Sequence, residues 1–84
     1  MSDSSQPLLE RVARVLCGAA HSANAEGRET SAGEHVDRHW REHLNQAQAV
    51  LHTMREPDQA MAAAGDEQVW KRMVEAAITQ KADA

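Results

Sequence analysis

The sequence predicts an all-α fold, a small bundle of three to four short helices, on three observations. Apolar residues recur at helical spacing in separate stretches, Pro57 and Gly65 punctuate the second half, and strand-like alternation occurs nowhere. With 84 residues there is room for a single domain, expected over 6–80, with residues 1–5 and 81–84 as loose tails. Phe and Tyr are absent, and Trp40 and Trp70 are the aromatic residues, so the core must be thin. Chains of this size draw about 3 to 5 kcal/mol from one core, and oligomerisation or a bound group often supplies the rest. A protein partner or self-association is therefore expected.

The first helix begins near Pro7, whose missing N–H costs little in a first turn, with Ser5 as its candidate N-cap. Leu8, Leu9, Val12, Val15, Leu16 and Ala19 form its apolar stripe, and Gly18 predicts an end between positions 18 and 22. Residues 23–33, ANAEGRETSAG, lack periodic apolar side chains and read as a loop. The second helix is the longest, from about Glu34 to Arg55, because Val36, Trp40, Leu44, Ala47, Val50, Leu51 and Met54 share one stripe at about 100° per residue. Pro57 pushes Glu56 out of helical angles and opens a short third helix through Ala64, with Gly65 as its C′ residue. Asp66 is the expected N-cap of a last helix, whose stripe is Val69, Trp70, Met73, Val74, Ala77 and Ile78. On this reading Trp40 and Trp70 bury against each other's helices and tie the central helix to the C-terminal one.

Nine Lys and Arg against thirteen Asp and Glu give a formal charge of −4, which argues against a general grip on nucleic-acid phosphates or anionic lipid. Five histidines qualify this, since mild acid would carry the net charge to about +1. The opening MSDSSQP has neither a basic n-region nor an apolar run, so neither a signal peptide nor a membrane span is expected there. Cys17 is the single cysteine, which excludes an intramolecular disulfide and makes the cytoplasm the default compartment.

Several segments share a pattern: ERVARVL at 10–16, Trp40, QAQAVLHTMREP at 46–57, Met61, Ala64-Gly65 and WKRMVEAAI at 70–78. This resembles a group of short uncharacterised proteins encoded in bacterial genomes and tailed phages, and covers about two thirds of the chain. The resemblance implies a phage or prophage setting and the same helical build. It brings no activity, cofactor or site residue, and the 23–33 loop has no counterpart in it. Each shared element also has a structural role: the tryptophans as core anchors, Pro57 as a helix starter, Gly65 as a cap.

His35, His39 and His43 stand at i, i+4 and i+8 in HVDRHWREH, a spacing from which zinc or nickel could take ligands. The text HVDRHWREH is not HExxH, because no glutamate directly follows the first histidine of either pair, and there is no CxxC. Measured from Val36, His43 falls about 20° away, inside the apolar stripe, with His39 about 60° and His35 about 100° off, so packing accounts for His43 and His52 should be exposed. Cys17 lies about 140° from Val12 and reads as a surface or boundary residue. Its pairing with His21 at i+4 has no acidic partner or oxyanion donor with which to build a nucleophile. Arg38, Arg41, Arg55, Lys71 and Arg72 alternate with acids, as exposed-face ion pairs do. The expected function is that of a non-enzymatic protein-interaction or accessory module with no cofactor. The alternative is a histidine-centred site that responds to a transition metal or to pH.

Overall fold

The computed structural model of the protein describes residues 6–25 and 32–80. Among them the chain is a small all-α bundle of four helical segments without a strand. Helix α1 is Leu8–Ala25, and α2 is Ala32–His39, continued through a 3₁₀ turn, Trp40–His43, into α3, Leu44–Met54. Helices α4, Gln59–Ala64, and α5, Glu67–Thr79, complete the chain. The tails at 1–5 and 81–84, the Ser5 cap and the middle of the expected loop, 26–31, lie outside the described residues.

Helix α1 runs past Gly18, contrary to expectation, because Ala19, Ala20, Ala23 and Ala25 restore helix propensity beyond it. Its buried face is also rotated from the expected one. Leu9, Ala13 and Cys17 are buried at i, i+4 and i+8, whereas Val15 is 70% exposed and Ala19 lies outside. The small side chains at 13 and 17 let the neighbouring chain approach, and the 3₁₀ turn carrying Trp40 packs closely on α1. Cys17 is therefore a core residue and not a boundary one. Its thiol is pushed up in pKa by burial first and by the charge of Glu42 second, which keeps it protonated.

The central helix is interrupted where a continuous one was expected. His39 at φ −121°, ψ 0° and His43 at φ −105°, ψ 12° leave α geometry and bracket the 3₁₀ turn. The interruption places Trp40 on α1, where it is 2% exposed. Burying an indole removes roughly 150–250 Å² from water, which at about 25 cal/mol/Å² is worth about 4–6 kcal/mol. Each weakened helical hydrogen bond costs only about 1 kcal/mol, so burial decides the geometry. Guanidinium groups flank the ring, Arg14 at 5.2 Å and Arg41 at 4.4 Å from its centroid. Arg14 is itself held by Glu10 at 2.9 Å and Asp37 at 2.8 Å, which joins α1 to α2.

Trp40 thus serves the α1 interface, and the tie between the central and last helices falls to Trp70. That residue is half-buried, and its indole N–H donates to the Met54 carbonyl at 2.7 Å, satisfying an orphan acceptor at the end of α3. Ala47, Leu51, Val74 and Ala77 fill the space between α3 and α5. Asp66 caps α5 as expected, accepting from the N–H groups of Gln68 and Val69. Asp58, one residue after Pro57, caps α4 by accepting from Met61 N–H. Gly65 follows α4 in an extended conformation, φ −156°, ψ −150°, and not in the left-handed one expected of a C′ glycine. No helix among the described residues is long and apolar enough to cross a membrane.

Candidate functional site: a histidine stack and an apolar groove

The three expected metal ligands are not brought together. Across an α-helix, residues four apart lie about 40° apart, but through a 3₁₀ turn at three residues per turn they diverge by about 120°. His43 accordingly leaves the ladder and pairs through Nδ1 with Gln46 Oε1 at 2.7 Å. His35 and His39 stay adjacent, with ring centroids 4.6 Å apart, and His39 Nδ1 meets Glu42 Oε2 at 2.9 Å. The third ring of the stack comes from α1: His21 lies over His35 at 4.0 Å, interplanar angle 26°. Among the described residues, no group of three His, Cys, Asp or Glu is arranged to hold a metal ion.

From the sequence, His21 stands as a partner for Cys17 at i+4 and, with Cys17 and Glu42, as a hypothetical extra metal ligand. The signal that would have found it is the i+4 step from the buried 9-13-17 row, which continues onto position 21. The stack is a joint between α1 and α2 made of three imidazole rings. The Glu42 carboxyl is held below the usual carboxylate range, first by its hydrogen bond with His39 and then by the charges of His39, His43 and His35. With Cys17 buried and protonated on the neighbouring turn, the cluster holds no activated nucleophile.

A second feature lies at the other end of the bundle. Pro57, Met61 and Ala64 from the α4 side and Val69, Trp70 and Met73 from α5 line an apolar groove of about 420 Å³, and Gly65, Asp66 and Glu67 complete its lining. Its large side chains are open to water, Met61 at 42% and Met73 at 61% exposure. The cause is readable in α5. Trp70, Val74, Ala77 and Ile78 face inward, while Val69, Met73 and Ala76 form an adjacent row at spacings of four and three residues. Together they cover about 200° of the helix at 100° per residue, more than α3 can bury. Trp70 and Met73 also border a shallower apolar depression reaching Leu8, and Leu8 borders a third with Val12, Val15 and Val50. The apolar surface is thus continuous from α4 over α5 to α1.

Arg38, Arg55 and Lys71 are in ion pairs, as the alternating pattern suggested. Arg38 pairs with Glu34 at 2.9 Å, Arg55 with Glu75 at 3.4 Å, and Lys71 with both Glu56 and Glu67 at 3.4 Å. No protein-family model, curated protein or solved structure matches the chain.

Proposed function

We propose that this chain is a non-enzymatic protein-interaction module, in the phage or prophage setting its sequence pattern suggests, and that the groove between α4 and α5 is its docking surface. The observation that carries the reading is α4. This helix of six residues has no buried residue, and no other helix packs extensively on it. A helix so short is not stable in water on its own, and the Asp58 cap supplies only about 1 kcal/mol. A partner covering Met61, Val69 and Met73 would complete its packing. Affinity capture from the native host with the wild-type chain and with the Met61→Lys, Met73→Lys double variant tests this. A protein retained by the first and released by the second supports the groove. Equal retention moves the interaction elsewhere, and a strictly monomeric chain that retains nothing argues against a module.

A second reading, a pH-responsive histidine site, is supported by the His21–His35–His39 stack. Two imidazolium charges at 4 Å repel by about 1 kcal/mol in water and about 4 kcal/mol near a protein surface, enough to loosen the junction of α1 and α2. The groups around it are Cys17 on α1, Glu34, Asp37 and Arg38 on α2, and Glu42 and His43 on the 3₁₀ turn. Amide exchange in α1 and α2 between pH 5 and 8, in wild type and His35→Ala, reads it out; exchange independent of pH in both rejects it.

A further inference from the structure

The charged residues that line the groove, Asp66 and Glu67, are both acids. Residues 56–70 hold four acids, Glu56, Asp58, Asp66 and Glu67, and no base, with Arg55 before them and Lys71 and Arg72 after them. Asp58 and Asp66 spend their side chains on backbone N–H groups and keep their charge, while Lys71 bridges Glu56 and Glu67 and offsets one unit. The opening is therefore apolar inside, with carboxylates at its margin.

That combination selects among occupants. A second copy using the same groove about a two-fold axis would set one acidic margin against another, a repulsive arrangement. What fits is a helix with an apolar face and cationic flanks, received in a groove whose flexible methionines adapt to the side chains they meet. A volume of 420 Å³ lies within the roughly 300–1,000 Å³ of ordinary binding sites. We propose that the α4–α5 groove binds the apolar face of an amphipathic helix whose margins carry lysine or arginine. This rests on the reading of the chain as an interaction module and names the chemistry of the partner.

The test uses three synthetic peptides: an amphipathic helix with a leucine face and lysine margins, the same helix with glutamate margins, and a scramble of the first. Binding is followed by amide and indole NMR shifts, with the Trp70 indole at the groove and the Trp40 indole as the distant reference. The lysine-margined helix should move Trp70 and the amides of 61–73, leave Trp40 in place, and weaken as salt is raised. The glutamate-margined helix should bind at least about tenfold more weakly, and Glu67→Lys should narrow that gap. Met73→Lys should abolish binding and Val15→Lys, on the far depression, should not. Equal affinity for the two helices, equal binding of the scramble, or shifts centred on Val15 and Val50 overturns the proposal. So does a dimer in sedimentation that Met73→Lys dissociates, which gives the groove to a second copy. If the lysine-margined helix fails while a host protein is still captured through Met61 and Met73, the charge assignment falls and the module reading stands; if both fail, both fall.

Discussion

Replacing Gly18 by alanine should make this protein more stable. The glycine lies inside α1 with ordinary helical neighbours on both sides, so it imposes the full cost of glycine in a helix interior, roughly 0.8–1.0 kcal/mol relative to alanine. The space for a methyl group is present. A Cβ built on Gly18 would meet Val36 Cγ2 of α2 at 3.6 Å, an ordinary van der Waals distance. The new group would therefore add part of the roughly 0.8 kcal/mol that a fully buried methylene contributes. Together the two effects amount to about 1–1.5 kcal/mol. For a domain of this size each kcal/mol moves the melting midpoint by roughly 4–8 °C, so Gly18→Ala should raise Tm by about 5–10 °C. Circular dichroism melts and urea titrations read the change directly. Ala19→Gly, one position along on the exposed side of the same helix, should lower stability by about 1 kcal/mol and calibrates the propensity alone. A Gly18→Ala protein less stable than wild type would refute the reasoning, because it would mean that α1 and α2 approach more closely than 3.6 Å and need the glycine.

Trp40→Ala removes the largest side chain of the α1 interface and should cost about 3–5 kcal/mol, enough to unfold the chain or leave it molten; near-ultraviolet circular dichroism checks this, and cooperative unfolding within 1 kcal/mol of wild type would contradict it. The Cys17 thiol should resist alkylation in the native protein and react rapidly in urea, as mass spectrometry of iodoacetamide-treated samples would show. Because its folded pKa is raised, the associated stability is complete below the unfolded value, about 8.5, and is lost as pH climbs through the folded one. Glu42 runs the other way: its folded pKa is lowered, so its contribution is present above about pH 4.3 and disappears as pH falls through the folded value. The urea midpoints of wild type and Glu42→Gln should therefore converge as pH falls from neutral through the carboxylate range; a gap that stays constant would count against the His39 pairing.

Residue periodicity and punctuation alone made the all-α class, the position of α4 between Pro57 and Gly65, the Asp66 cap and the extent of α5 legible, because these depend on neighbours within one helical turn. The Arg38–Glu34 and Lys71–Glu67 pairs, four residues apart, follow from the same local spacing, whereas Arg55–Glu75 and Lys71–Glu56 needed the tertiary structure. Three features were not legible, and each turns on which surfaces meet. Cys17 and Ala13 are buried and Val15 is open because of how the 3₁₀ turn, α2 and α3 pack on α1, a choice made between elements far apart in sequence. The central helix tightens at 40–43 because burying one indole outweighs a few helical hydrogen bonds, and that turn carries His43 away while His21 arrives from α1. The groove escaped notice because Val69 and Met73 look like core residues in a helical stripe. Only the tertiary structure shows that α3 and α1 cover one side of α5 and leave the adjacent row, with its acidic margin, open. Sequence by itself determined the all-α class, the place of α4 and the extent of α5, which are local hydrogen-bonding and propensity effects. The face each helix buries was decided by packing, where a long-range gain of several kcal/mol overrides local preferences of about 1 kcal/mol.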